Sequence, residues 1–179
     1  MADNVLTPEF RVSFPNLFKP RKANEQAEPK YSVSMLFPKD ADLSALKKAA
    51  EAAVREEWGD KIPKKLKKPF LDQGDYDLEG YEAGNVLVRA SSKQKPGVVD
   101  KDVQAIVDES EIYPGCYARA TVRAFTYDVN GNVGVSFGLQ NFQKLRDGDP
   151  IGGRSKPEDD FTPVSDGETG GGSTDSLWD

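Results

Sequence analysis

The feature that most constrains the fold is a long alternation of two residue classes, interrupted once by Asn130-Gly131. Small or apolar residues fall at every second position on both sides of the interruption. They are Cys116, Ala118, Ala120, Val122 and Ala124, followed by Val133, Val135, Phe137 and Leu139. A period of two indicates strands with one buried face, and Asn-Gly favours the positive φ angles of a tight turn. The stretch therefore predicts a long β-hairpin.

Gly134 and Gly138 fall on the opposite face of the second hairpin strand. Glycine inside a strand indicates a bulge, strong curvature or the close approach of another backbone. We expect one of these at each position.

Three earlier segments show the same alternation and predict three more strands with one buried face. Their inward-facing sets are Phe10, Val12 and Phe14; Tyr31, Val33, Met35 and Phe37; and Val86, Val88 and Ala90. Between the second and third segments, Leu43, Leu46, Ala50 and Val54 follow helical spacing. Asp40 or Asp42 is a candidate N-cap for this helix, and Gly59 is a candidate stop.

This element order predicts a mainly β chain, an OB-fold-like Greek-key barrel with one principal helix. A β-sandwich is the alternative architecture. The helix lies earlier in the chain than in the simplest OB order, in which a helix bridges later strands.

Charge divides the chain into two parts. The total is −6, but residues 147–179 hold nine acidic and two basic residues, a net charge of −7, which leaves +1 for residues 1–146. The later part is rich in Gly, Pro, Ser and Thr and poor in large apolar residues, a composition that predicts disorder. We therefore expect a folded domain over 1–146 and a flexible acidic tail over 147–179.

The chain lacks the residues that several classes of enzyme use. The chain has no histidine, one cysteine, and no CxxC pair, phosphate-binding loop or GxGxxG turn. Ser-His, Cys-His and His-metal chemistry are therefore excluded, and an enzymatic function is disfavoured. Because no segment is apolar enough to span a bilayer and the start lacks the pattern of a secretory signal, we expect a cytoplasmic protein.

The outward face of the first hairpin strand alternates aromatic rings with arginines. The predicted nucleic-acid-binding residues of this strand are Tyr117, Arg119, Arg123, Phe125 and Tyr127. Rings stack on unpaired bases, and guanidinium groups contact phosphates, so this face is suited to single-stranded nucleic acid. An ordinary surface ladder, or a face covered by the helix, is the alternative.

Basic residues elsewhere extend this predicted surface. They are Lys19, Arg21 and Lys22; Lys64, Lys65, Lys67 and Lys68; and Arg89 and Lys93. Such residues, carried on loops, can follow a phosphate backbone. A solvated surface is the alternative for the lysine-rich run over 61–68 on its own.

Two other functions remain open at this stage. The carboxylates Asp72, Asp75, Asp77, Glu79 and Glu82 suggest a metal-dependent nuclease, although they lack the pattern of a calcium loop and are more simply an acidic loop. A phage structural or adaptor protein built on a β-barrel is the other alternative.

The end of the chain combines acid with a hydrophobic pair. Leu177, Trp178 and Asp179 form a candidate hook for partner proteins, and the acidic tail is a candidate competitor with DNA for the basic surface. A solubilising appendage is the alternative.

The chain resembles the single-stranded-DNA-binding proteins encoded by tailed bacteriophages. The stretches that carry the likeness are RVSFPNLFKPR, KPGVVD and GCYARATVRAFTYDVNGNVGVSFGLQNFQKLRDGDPIGG, within residues 5–153. The resemblance implies an OB fold and sequence-tolerant binding of single-stranded DNA in replication and recombination. It also implies no catalytic residue, no metal and no cofactor, and recruitment of replication proteins through the tail. Relatives often end in acid followed by an aromatic residue, whereas here Trp178 precedes Asp179.

Overall fold

The computed structural model describes residues 4–151 and 161–164, and over these it is mainly β. The elements are β1 (Val5–Leu6), β2 (Phe10–Arg21), β3 (Lys30–Phe37), α1 (Ser44–Trp58), β4 (Leu71–Asp72), β5 (Val86–Ser92), β6 (Gly97–Val99), β7 (Tyr117–Val129) and β8 (Asn132–Arg146). Short 3-10 turns occupy Gln73–Asp75 and Glu109–Glu111. None of the helices in this described part is long and apolar enough to cross a membrane.

Five strands close into a barrel in the order β7-β2-β3-β5-β8 and back to β7. All neighbours in this ring are antiparallel except β5 and β8, which run parallel. The short strands β1, β4 and β6 pair with β7, β5 and β8 respectively. The mainly β fold with one principal helix is confirmed. The closed ring with one parallel pair is the strand order expected of the predicted OB-fold-like Greek-key barrel.

The β7–β8 hairpin has the predicted turn and the predicted buried face. Asn130 and Gly131 adopt φ angles of 52° and 83°. Cys116 and the four alternating residues that follow it up to Ala124 are buried in the core. Their small size lets α1 pack closely against β7.

Gly134 shows the close approach predicted for a strand glycine. A Cβ atom at this position would lie 2.6 Å from the Tyr127 ring and 2.9 Å from the backbone oxygen of Lys67. The Lys67 backbone pairs here with β8, because its N–H donates to the Val133 oxygen at 2.8 Å. Gly138 has only ordinary van der Waals neighbours.

The helix is the predicted one. Leu46, Ala50 and Val54 are buried, and Gly59 ends the helix with a φ angle of 58°. Leu43 occupies the N-cap position, so the predicted cap at Asp40 or Asp42 is wrong. The Asp42 carboxylate instead accepts a hydrogen bond from the Ser44 N–H at 3.1 Å, just before the helix. Hydrogen bonds from the Ser44 side chain and from its backbone N–H hold the pKa of Asp42 below its usual value.

β2 departs from the predicted alternation at Phe14. Phe10 and Val12 are buried as expected, but Phe14 is 49% exposed and has a φ angle of 44°. The pairing of β2 with β3 shifts register between Ser13 and Asn16, so the strand carries a bulge at this point. The inward assignment of Phe14 is therefore wrong, because the bulge turns its ring to the outer face.

The packed body continues beyond Arg146. The Tyr113 hydroxyl donates to Asp147 Oδ1 at 3.0 Å, and Arg11 Nη2 donates to the Asp149 oxygen at 2.6 Å. Ile151 is buried against Leu36 and Leu87. Residues 147–151, assigned to the tail from composition, therefore pack with the barrel.

The rest of the tail is described only at residues 161–164, which are exposed. Leu177, Trp178 and Asp179 lie outside the described residues, so the predicted partner hook stays a prediction.

Candidate nucleic-acid interface

The outer face of the barrel carries a floor of small polar side chains across four strands. Cross-strand pairing aligns Asn16 with Ser32, Ser32 with Ser91, and Ser91 with Gly138. A parallel row aligns Ser34 with Arg89. The floor residues are Asn16, Ser32, Ser34, Ser91 and Ser136. Because these side chains are short, they leave open space above the sheet, and they offer hydroxyl and amide groups for hydrogen bonding.

An open groove of about 780 Å³ lies over this floor. The loop between β2 and β3 contributes Lys22, Ala27 and Glu28 to its lining. Leu78 and Tyr81, from the segment between β4 and β5, also line it. The groove is therefore built from a rigid sheet and two loops.

The loop that carries Tyr81 is fixed by a buried amide. Gln73 Nε2 donates to the backbone oxygens of Phe37 at 3.2 Å and Val86 at 2.8 Å, while its Oε1 accepts from the Glu82 N–H at 3.1 Å. The Tyr81 hydroxyl is 2.8 Å from Ser13 Oγ. Because buried hydrogen bonds are costly to break, these contacts hold Tyr81 beside the groove.

The groove is strongly basic. Five cationic side chains line it, together with one carboxylate, that of Glu28. The cationic residues are Arg21, Lys22, Lys30, Arg89 and Lys93. The Arg89 guanidinium lies 5.2 Å from the centre of the Tyr76 ring, which orients it. Four of these five cations are among the predicted nucleic-acid-binding residues.

Sequence reasoning assigns Phe14 to the core, whereas the structure places it at the groove. It lines the groove, and its ring is presented by the left-handed backbone of the β2 bulge. A positive φ angle is unusual for a bulky residue, and such strain concentrates at functional sites. Pro15 follows, and a residue before proline is biased toward extended backbone. The local sequence therefore carried no signal for this conformation.

The second half of β7 continues the groove floor. Phe125 pairs with Ser136 and Arg123 pairs with Gly138, so both lie on the outer face next to the serine rows. Arg123 is exposed, and Phe125 is 42% exposed. Tyr127 follows on the same face, with its ring against Gly134.

The first half of β7 lies outside the groove. The Tyr117 ring is covered by the Arg146 guanidinium, 3.9 Å from the ring centre, and Arg11 lies 5.9 Å away. Arg119 Nε donates to Gln143 Oε1 at 2.7 Å. Eight residues of strand separate Tyr117 from Phe125, or roughly 26 Å. Tyr117 and Arg119 line smaller clefts outside the groove, so the predicted ladder divides into two regions.

The predicted lysines flank the barrel at different points. Lys64, Lys65, Lys67 and Lys68 are exposed. Lys67 Nζ donates to Asn132 Oδ1 at 3.1 Å, which places this loop beside the hairpin end and Tyr127. Lys19 is exposed at the end of β2 but lines a separate cleft near Glu109.

Asp72, the first of the acidic residues and the last residue of β4, has a structural role. Asp72 Oδ1 accepts hydrogen bonds from the N–H groups of Gly74 at 2.8 Å and Gly84 at 3.0 Å. These bonds lower the pKa of Asp72. Within residues 4–151 and 161–164, no three acidic or cysteine side chains are grouped to hold a metal ion. Cys116 is buried, and burial raises the pKa of its thiol.

Comparisons with solved structures identify the same fold in two phage proteins. The single-stranded DNA-binding protein from bacteriophage Enc34, solved in complex with ssDNA, matches with a TM-score of 0.68 and 22% identity over 83% of this chain and 89% of that one. The single-stranded DNA-binding protein gp2.5 of bacteriophage T7 matches with a TM-score of 0.63 and 15% identity, over 82% and 93%.

Sequence comparison extends beyond the fold. Protein p50 of Acyrthosiphon pisum secondary endosymbiont phage 1 is 33% identical over 168 residues, covering 87% of this chain and 90% of that protein. The family model for the ssDNA-binding protein of Enterobacter phage Enc34 matches residues 3–171. This chain therefore belongs to the Enc34 phage ssDNA-binding protein family.

Proposed function

We propose that this protein binds single-stranded DNA without sequence preference, along the basic groove over β2, β3, β5 and β8. The observation that carries the proposal is the combination of five cations and the exposed Phe14 ring over a floor of small polar side chains. Family membership supports the same ligand. Within the host cell cytoplasm, the protein coats and protects unpaired strands during phage replication and recombination.

The mechanism is binding alone. Phe14 on one side of the groove and Phe125 beyond the other side stack on bases, an interaction that every base offers. Arg21, Lys22 and Arg89 contact the phosphates that lie between these two rings. The serine hydroxyls of the floor donate to phosphate or base oxygens. Tyr127 and the lysines over 64–68 extend the path past the hairpin end.

Three of the predicted DNA-binding residues lie outside the groove. Tyr117 and Arg119 make contacts within the protein, and Lys19 faces another cleft. We keep them as secondary contacts for a strand that leaves the groove, and we expect smaller effects from their substitution.

The test is fluorescence anisotropy with a labelled oligo-dT strand over a salt series. If four to five phosphates are neutralised, the log–log slope is about −3, because each contributes about −0.7 on single strands. Raising NaCl from 50 to 300 mM then weakens binding roughly 200-fold. Affinity that is indifferent to salt contradicts the proposal. The same labelled strand is also incubated with the protein and Mg²⁺ and then examined on a gel. A DNA-binding protein leaves the strand intact, whereas a nuclease cleaves it.

Deleting residues 152–179 is expected to tighten DNA binding about 3- to 10-fold at 50 mM NaCl. The deletion removes seven acidic and two basic residues, a net charge of −5, that compete for the groove. The gain shrinks at 300 mM NaCl because salt screens the competition. The cut follows Ile151, since removal of 147–151 would also break the Arg11–Asp149 contact.

The matched control keeps the full length and replaces the seven tail acids by their amides. If the negative charge of the tail causes the competition, this variant binds DNA more tightly, as the deletion does. An unchanged or weaker affinity in both variants contradicts competition by the tail.

A further inference from the structure

One ion pair lies inside the basic groove. Glu28 Oε2 is 2.7 Å from Lys93 Nζ, and both residues line the groove. Glu28 lies on the loop between β2 and β3, and Lys93 directly follows β5, so the pair joins two separate loops. Among the described residues that line the groove, Glu28 is the only acidic one.

The Glu28–Lys93 ion pair can break so that Lys93 binds another anion in place of Glu28. The Lys93 and Glu28 side chains are 69% and 67% exposed, so the contact is screened by solvent and breaks without disturbing the core. The hydrogen bond from Lys93 and its charge lower the pKa of Glu28, and Lys30 adds to this effect, so the carboxylate is ionised at neutral pH. A carboxylate on Lys93 presents the same charge and the same acceptor oxygens as a DNA phosphate.

We propose that Glu28 is a built-in competitor for phosphate, which neutralises Lys93 in the free protein and is displaced when a single strand enters the groove. The inference rests on the proposed function and adds a regulation of that same site. Displacement leaves the Glu28 carboxylate beside an anionic strand, where it takes up a cation from solution. Binding therefore releases fewer cations in total than the number of contacted phosphates predicts.

A double-mutant cycle tests the displacement. Lys93→Gln in the wild-type background weakens ssDNA binding only about twofold, because the Lys93–phosphate contact that it removes forms at the expense of the Lys93–Glu28 ion pair. The same substitution in a Glu28→Gln background weakens binding about 3- to 10-fold, because Lys93 is then free to contact phosphate. Equal effects of Lys93→Gln in both backgrounds would overturn the proposal.

The single variant has its own signature in the oligo-dT salt series. Glu28→Gln tightens binding about 3- to 10-fold at 50 mM NaCl and steepens the log–log slope by about 0.7, one additional phosphate equivalent. Glu25→Gln is the matched control, since Glu25 is exposed on the same loop and does not line the groove. It makes the same charge change, with an expected effect below twofold.

The outcomes separate the two proposals. Wild-type protein that fails to bind oligo-dT overturns the proposed function, and the competitor role with it. Wild-type protein that binds, with Glu28→Gln and Glu25→Gln indistinguishable in affinity and slope, overturns the competitor role alone. Unchanged thermal unfolding of all variants, expected for exposed residues, assigns the differences to binding.

Discussion

Replacing Phe14 by glycine is expected to weaken ssDNA binding about 5- to 100-fold while relieving strain in the fold. The ring is a proposed stacking surface, and a stacked base contributes about 1–3 kcal/mol. The backbone of Phe14 has a φ angle of 44°, which glycine adopts freely and other residues adopt at a cost of about 1–2 kcal/mol. The measurements are oligo-dT affinity and the free energy of unfolding in urea.

Phe14→Ala is the matched control. It removes the same ring but keeps the cost of the left-handed backbone, because alanine has a Cβ atom. We expect both variants to lose affinity equally, and the glycine variant to be about 1 kcal/mol more stable than the alanine variant. Wild-type affinity in both variants would remove Phe14 from the binding site. Equal stability of the two would show that the backbone at this position carries no strain.

Arg89→Ala is expected to weaken ssDNA binding about 10- to 100-fold and to flatten the log–log salt slope by about 0.7. Arg89 lines the groove in the row that it shares with Ser34, and its guanidinium is oriented by the Tyr76 ring. A hydrogen bond to a charged group contributes about 1.5–3 kcal/mol, and loss of one phosphate contact lowers cation release by about 0.7 of a cation.

Arg55→Ala controls for the loss of positive charge. Arg55 lies in the last turn of α1, outside the groove, and forms an ion pair with Glu51 at 3.0 Å. Its replacement changes the net charge equally but removes no groove contact, so affinity changes less than twofold. Equal effects of the two substitutions would mean that binding depends on overall charge and not on the groove.

The features that local patterns determine were predictable from the sequence. The β7–β8 hairpin follows from period-two alternation and from Asn130-Gly131, and the helix follows from Leu46, Ala50, Val54 and Gly59. Both depend on neighbours within a few residues along the chain. The number and sequence of strands favour a barrel but also allow a β-sandwich, so local patterns alone do not determine the barrel order.

The site required information that local patterns do not contain. Alternation correctly placed Arg123 and Phe125 on the outer face of β7, but it placed Tyr117 on the same ladder. Tyr117 lies instead under Arg146, because the two ends of a long twisted strand face different parts of a closed barrel. Phe14 was assigned to the core, since a bulge depends on pairing with β3 and not on the residue itself.

The boundary of the folded body shows the same limit. Residues 147–151 read as tail because Asp147, Gly148, Asp149 and Pro150 are typical loop residues. Their anchoring depends on Arg11 and Tyr113, which are distant in sequence. Composition alone did not reveal these partners.

The most direct test of the central claim is photocross-linking of the full-length protein to an oligo-dT strand that carries 5-iodouracil, followed by peptide mapping. The account predicts cross-links at Phe14 and Phe125, on either side of the groove, which unlabelled oligo-dT competes away. Cross-links confined to Tyr117 and the cleft that holds Arg146, with none on the groove peptides, would contradict it.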